Sequence, residues 1–523
     1  MGIFNFFRRE KPAAQRRIAP RFRTPGARPM LPRRRSFESA RVSNVTASWG
    51  TTPKSADQII YQNLTALRAR SRDQRCNSDH VRRFDQLVRI NVVGARGIVV
   101  QSKVMRPGGK APDKPARQAI ESEFKLWGRA ENCHLQGRLS WVEIQQQILS
   151  SIAIDGEALV REHAAGRYGY QLELIDVELL DVRYCEDLSS GNRILFGMEY
   201  NPQGRAVAYH FKQPSPSPLT YTHTSGAHYE RVDAREIHHL FLSEFVGQKR
   251  GIPWTATGLF RLKMLGGFED AALVNARVGA SKMGWIKDDN PDETYTGDGQ
   301  EPLKGEHTDP HTGDHIEEME PAYIGHLGPN QDFVGFDPTY PSGDFDPFVQ
   351  SCLHSISMGF GVSHHGLSGN LSKVNYSSAK VGDLVDKENW MYLQNWLIDK
   401  LGRPVFETWM ERQHLLQTIK IGTKPLGRPL QEYLLARYQP KRWKEVDELK
   451  AVSAQREAVA LGKSSISRLI LEDGEDPDEV FEQLAEDMHR LRALGLPLPS
   501  FLPPEAYKAL KESEPDGAPN DAD

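Results

Sequence analysis

Apolar residues in the first third of the chain return at helical spacing. Residues 56–93 carry Leu64 and Leu67, then Phe84, Leu87 and Val88, with arginines between Arg68 and Arg75 on the other positions, a pattern of surface helices with basic faces. Residues 94–105 read as a strand, and 116–127 and 141–154 as helices joined by a turn near 131–137. From Gly156 the period drops to two. GEALVREH, GYQLELIDVELL and RILFGMEYNPQGRAVAYHFK alternate apolar with polar residues between Gly, Asn and Pro breaks, which predicts strands. The turn Asn201-Pro202-Gln203-Gly204 predicts a hairpin of residues 194–200 with 206–212. Residues 214–226 form a loop, and 236–245 return to a strand.

The helical period then resumes. GQKRGIPWTATGLFRLKMLGGFEDAA, residues 247–272, places a basic turn (Gln248, Lys249, Arg250) and Pro253 ahead of a stripe of Leu259, Leu262, Leu265 and Phe268, continued by Ala272 and Ala276. Beyond Ala271 the face turns small, with Ala272, Ala276, Gly279, Ala280 and Gly284, as crowded helices would require. Taken alone, this segment is equally an ordinary core helix of an enzyme. Residues 288–346 are rich in Gly, Pro, Asp and Thr, with strand-like pieces at 323–327 and 333–336, and separate that helix from a second one at 345–360. A polar loop, 361–375, leads to a helix over 376–401 marked by Val381, Val385, Trp390, Leu393, Trp396, Leu397 and Leu401, about 25 residues and so almost 40 Å long. Gly402 and Pro404 interrupt it, a further helix runs to about Thr418, and helices at 444–461, 464–471 and 476–494 close the pattern.

Composition narrows the possibilities. A chain of 523 residues exceeds one core and implies roughly two to four structural units. No run of about 18 apolar residues exists, so no membrane span is expected, and MGIFNFFRRE is not a secretory signal. Four scattered cysteines without a CxxC pair favour reduced thiols over a disulfide framework or zinc site. The net charge of −3 hides an asymmetry: residues 1–41 hold twelve Lys or Arg against two acids, and residues 471–523 hold fifteen acids against four bases. Residues 1–55, rich in Arg, Pro and Ser, are expected to be disordered.

Tests for chemistry are mostly negative. Gly462-Lys463-Ser464 resembles the end of a phosphate loop, but Glu457 stands where its first glycine belongs and the preceding segment is helical. GxSxG, HExxH and CxxC are absent from the sequence. His238 and His239 sit in an alternating strand, where neighbours point to opposite faces and cannot share a metal. His364-His365 lies in a polar loop without a carboxylate cluster, and Asp314, Glu317, Glu318 and Glu320 read as a solvated acidic face. No catalytic residue, metal ligand or cofactor site is expected.

The order of these elements, with specific residues, resembles the lambda family of tailed-phage portal proteins across residues 56–496. The most specific parts are Gly247-Gln248, Arg250-Gly251-Ile252-Pro253, Asn375-Tyr376-Ser377-Ser378 and SSISRLILEDGEDPDEV near the C-terminus. The chain departs from the family around Val446-Asp447, where a proline and a basic-acidic pair are usual. The resemblance implies an α+β portal fold: a mixed α/β wing, a two-helix stem, a small β-containing clip, a long spine helix and a helical C-terminal crown. Carried onto this chain, the wing begins at 56–255, the stem helices are 256–286 and 345–360, and the clip is 287–344. The tunnel loop is then 361–375, the spine and following segment 376–443, the crown 444–496 and an acidic tail 497–523.

The same resemblance implies a ring of about twelve subunits at one capsid vertex. Expected partners are the major capsid protein and scaffold, the terminase large subunit, head-completion or neck adaptor proteins, and double-stranded DNA passing through the channel without sequence preference. The expected location is the virion, with assembly in the host cytoplasm. Ser363, His364, His365, Ser368, Asn370, Ser372 and Lys373 are the expected channel residues, a polar set without a tight phosphate clamp. A rotation-generated ring needs two different complementary faces, and Lys249, Arg250, Ala272, Ala276, Gly279 and Ala280 are the expected subunit contacts. A metal-dependent nuclease and a monomeric nucleic-acid-binding protein acting through the basic arm are the competing readings.

Overall fold

The computed structural model describes residues 50, 52–109, 111–213, 229–280, 284–287, 306–308, 315–317, 324–327, 345–372, 376–443 and 448–495. The expected disordered arm apart from 50 and 52–55, the acidic tail and most of the expected clip lie outside those residues, as does Lys373.

Capping chemistry fixes the first helices. Ser55 and Gln58 exchange bonds across a capping box to start Ala56–Asn77, and Ser78, in extended conformation, ends it before Asp79–Val92 begins. A second capping box, Ser140 with Glu143, starts Trp141–Asp155, and Gly156 stops it at a φ of 91° that L side chains avoid. Lys114–Trp127 is capped by Asp113. These helices enclose an aromatic core in which Trp127 donates from Nε1 to the Tyr170 carbonyl at 2.9 Å and stacks on Tyr170, while Phe124 meets Phe406 and Trp409 edge-on.

The alternating segments form two antiparallel sheets. In the first, Glu157–His163 lies between Gln171–Ile175 and Ile237–Phe241, pairing Val160 with both Leu174 and His238. The second runs in sequence order through Glu186–Asp187, Arg193–Leu195, Met198–Tyr200, Ala206–Lys212 and Tyr229–Asp233. The expected turn is present: Gly204 donates to the Asn201 carbonyl at 2.9 Å, and Asn201 Oδ1 accepts from the amides of Gln203 and Arg205. The expected single strand 194–200 is instead two strands folded on each other, because Phe196 and Gly197 both take positive φ, 56° and 78°. A short two-stranded pair, Val99–Ser102 with Ala436–Gln439, joins the early and late parts of the chain.

Two long helices follow the sheets. The first is Leu259–Ala280, shorter at both ends than the expected 256–286. Residues 254–258 make turns instead, because the Trp254 amide donates to Ala153 and those of Gly258 and Leu259 to Thr255. After it, Gly284–Lys287 is a strand parallel to Ile324–Leu327. The second helix is Phe345–Phe360. Further on, Tyr376–Leu397 passes through a π turn, Ile398–Gly402, directly into Arg403–Leu416. The expected interruption is absorbed rather than broken, since Pro404 falls in the first turn of the following segment, where a missing N–H costs little. Three helices close the described chain: Glu448–Ala460, Ile466–Asp473 and Pro477–Ala493.

Candidate subunit interface

The basic turn at 248–250 folds inward. Glu157, the first residue of its strand, is wholly buried, and two equally buried guanidiniums converge on it. Arg250 reaches its carboxylate at 2.5 Å through Nη2 and 2.7 Å through Nε, and Arg68 at 2.5 Å. His239 Nε2 lies 2.9 Å from the same carboxylate, and the Gly251 amide donates to it at 2.9 Å. Arg250 Nη1 also donates to the carbonyls of Leu180 and Phe196, and Arg68 to that of Asp155. Burial alone would raise the carboxyl's pKa, but Arg250, then Arg68 and His239, hold it well below the usual range.

Backbone contact fixes the same spot. A Cβ on Gly251 would stand 2.0 Å from the Gly156 carbonyl oxygen, and one on Gly156 2.5 Å from Ile252 C. Gln248, also buried, accepts the amides of Glu244 and Phe245 and donates to the Arg250 carbonyl. Lys249 pairs with Asp57 of the same chain. The expectation that Arg250 contacts a neighbouring subunit is therefore corrected: with no exposed surface, it locks this subunit's own sheet to the start of its long helix. Sequence reasoning missed Glu157 and Arg68. The available signal was the pair of acids, Asp155 and Glu157, in the otherwise apolar run AIDGEALV with basic residues elsewhere to answer them.

The long helices carry the second part of the site. On Leu259–Ala280, which packs against both Phe345–Phe360 and Ala56–Asn77, Leu262, Leu265 and Ala272 are buried. Phe268 meets Phe345 and Phe348 at 5.6 and 5.0 Å between ring centres. Ala272 is thus spent inside the subunit, which corrects its expected role between subunits, whereas Ala276 is exposed. Gly279 and Ala280 close the helix. On the opposite side a different stripe is exposed: Phe260 (79%), Met264 (61%), Gly267, Ala271 and Val274 (60%). Its spacings of four, three, four and three are those of a helix seam packed against another helix. On Phe345–Phe360 the outward positions Phe348, Ser351, Ser355 and Met358 are exposed and uncharged.

The segment expected as a polar loop contains a short helix, His364–Ser368, capped by Ser363 and ended by Gly369 at φ 68°. Leu367 anchors it in the core, and Arg83 donates to the Gly366 carbonyl at 3.2 Å. His365 Nε2 lies 3.0 Å from Asp383, and the His364 ring packs on His354 at 4.6 Å. Burial, then His354 and His365, lower the His364 pKa. Ser363, His364, His365, Ser368 and Asn370 are half-buried, whereas Ser372 is exposed.

His238 and His239 take different carboxylates, Glu162 at 2.6 Å and Glu157 at 2.9 Å, on opposite faces of the sheet. Among the described residues no three His, Cys, Asp or Glu side chains gather as a metal site. A cleft of about 460 Å³ beside Arg72, Arg75 and Asp155 has both its arginines engaged, Arg72 with Asp155 and Asp176 and Arg75 with Asp85. Among the described residues, no helix is long and apolar enough to cross a membrane.

Residues 43–394 match the family model described as phage portal protein, lambda family. A probable portal protein of Halomonas phage phiHAP-1 is 31% identical over 471 residues, 89% of this chain and 88% of that relative. Portal protein B of Escherichia phage lambda is 21% identical over 500 residues, 89% of this chain and 91% of its own. A chain from the neck of a native GTA particle computed with C12 symmetry aligns over 82% of this chain and 95% of its own, at 13% identity and a TM-score of 0.34. A likeness at that score carries no argument about fold or symmetry.

Proposed function

Since the chain belongs to the lambda family of phage portal proteins, structural head–tail connectors rather than enzymes, we propose that about twelve copies form the ring at one capsid vertex through which double-stranded DNA enters and leaves. On this reading residues 56–255 and 376–443 make the wing, and Leu259–Ala280 and Phe345–Phe360 the stem. Residues 287–344 then make the clip that receives the terminase large subunit and later the head-completion and neck proteins, and 444–496 the crown. The major capsid protein and scaffold surround the ring, in the host cytoplasm during assembly and in the virion afterwards.

The observation that carries the ring is the doubly apolar first stem helix. Leu262, Leu265 and Ala272 are covered within the subunit, while Phe260, Met264, Gly267, Ala271 and Val274 are not. A head-to-tail ring supplies the missing cover, because the seam of one copy can lie against the uncharged outer stripe of the next copy's second helix, Phe348 to Met358. In the channel segment, Asn370, Ser372 and Lys373 are the side chains offered to DNA, and Ser363, His364, His365 and Ser368 hold the segment in place. The test is the solution mass and electron micrographs of the purified protein. Rings near twelve copies support the reading, and a stable monomer that cleaves DNA with a divalent ion overturns it.

A further inference from the structure

Among residues 448–495 whose side chains are described, none is fully buried, so the three C-terminal helices add no residue to the buried core. Among the described residues, the bonds that tie the start of Pro477–Ala493 to the rest of the chain are mainly ionic. Asp476 serves twice: Oδ1 accepts the Asp478 amide at 3.0 Å and caps its own helix, while Oδ2 faces Lys103 Nζ at 3.2 Å. Asp478 accepts from Arg117 Nη1 at 3.2 Å, and Glu482 pairs with Lys114. Arg117 is held ready for this, since its Nε donates to the Val104 carbonyl at 2.9 Å. One neutral bond adds to the set, from Gln439 Nε2 to the Leu471 carbonyl at 2.7 Å. Three cations around the start of Lys114–Trp127 thus meet three carboxylates, one at the cap and two in the first two turns of Pro477–Ala493.

We propose that Lys103, Lys114 and Arg117 are a docking surface for an acidic helix, occupied by this chain's own residues 476–482, and that the contact is an ionic latch which salt opens. The acid-bearing partners are partly exposed, Glu482 at 48% and Asp478 at 54%. Pairs of this kind each shift an equilibrium by up to about five-fold, so three of them hold the latch by up to ~100-fold at low ionic strength. Screening reaches ~3 Å at 1 M salt against ~10 Å at 0.1 M, short enough to weaken all three together. An apolar dock would not loosen on adding salt. Once undocked, the 8-residue helix is too short to persist in water and the 17-residue one loses the tertiary contacts that steady it, so release shows as fraying. The latch lies within one subunit and stands or falls independently of the ring.

Hydrogen exchange on the full-length protein tests this. Amides of Ile466–Asp473 and Pro477–Ala493 are expected to exchange about ten- to a hundred-fold faster at ~1 M KCl than at ~0.1 M, while those of Trp141–Asp155 hold steady. Lys114→Glu with Arg117→Glu should give the fast rate already at low salt, and adding Asp478→Lys with Glu482→Lys should restore slow exchange. Salt-independent exchange in the unaltered protein overturns the latch. So does a fourfold variant that exchanges as fast as the double, because a patch needed only for folding would not be rescued by reversing both signs.

Discussion

The buried charge cluster makes the most exacting prediction. Glu157→Gln removes the carboxylate shared by Arg68 and Arg250, each with 1% or less of its side chain exposed, and leaves Arg68 only the more distant Glu178 at 3.7 Å. Breaking a buried ion pair from one side costs about 3–5 kcal/mol, because the remaining charge stays desolvated. That corresponds to about a hundred- to several-thousand-fold fewer folded molecules, against a total stability of about 5–15 kcal/mol. Arg250→Ala should fall in the same range, since it also strands the carbonyls of Leu180 and Phe196. The assay is proteolysis in graded urea alongside solution mass. Loss of protease resistance should come first, with any loss of rings following from it. The pH dependence gives a second readout. The Glu157 carboxyl is held well below its ordinary pKa, so its stabilisation is complete above the unfolded value, about pH 4.3, and disappears only as pH falls through the depressed folded value. Glu157→Gln should therefore flatten the acid limb of stability. If Arg250→Ala keeps full urea resistance yet fails to form rings, the residue is a subunit contact and this reasoning is refuted.

Three further outcomes follow from the same geometry. Gly251→Ala drives a methyl to 2.0 Å from the Gly156 carbonyl oxygen, so the variant should be recovered mostly insoluble, whereas Gly267→Ala, with open space around it, should express normally. Met264→Glu on the exposed seam should leave the subunit's melting temperature within a degree or two but reduce its solution mass from ring toward monomer; unchanged rings would remove the seam from the interface. Lowering pH through the depressed folded pKa of His364 should loosen the segment around Ser363 and Leu367, seen as faster amide exchange there. The group stays neutral and stabilising above about pH 6.5, and His364→Asn should abolish that response.

Elements were legible where the cause was local. The helix after Ser140 and the hairpin turn at Asn201 depend on residues within four positions of each other, and both form as their patterns predict. The division of residues 194–200 was not legible, because Phe196 accepts positive φ only where Gly197 can approach Leu180 and Asp181, partners distant in sequence. The same limit explains the basic turn. Lys249 and Arg250 look like surface charge because nothing nearby answers them, but Glu157 lies 93 positions before Arg250 and Asp57 lies 192 before Lys249. A motif of charged residues therefore marks the family while saying nothing about which side of the surface the charges occupy.

The first long helix shows why a periodic stripe can be read correctly and still mislead. Apolar and small residues occupy both Leu262, Leu265 and Ala272 and the opposed line of Phe260, Met264, Gly267, Ala271 and Val274. A sequence pattern reports that each line exists but not which one the subunit covers itself. Taking the small continuation of the first line as the contact between copies assigns Ala272 to a neighbour although the subunit already buries it. The subunit's own packing decides the question, because a face buried once cannot be buried again, and what it leaves in water is large: Phe260 and Met264 keep well over half their surface exposed. Apolar area of that kind in four turns of helix favours association by roughly 25 cal/mol per Å² covered. In the proposed ring it is the outer line that drives closure, and variants on the inner line should fail as folding defects before assembly is reached.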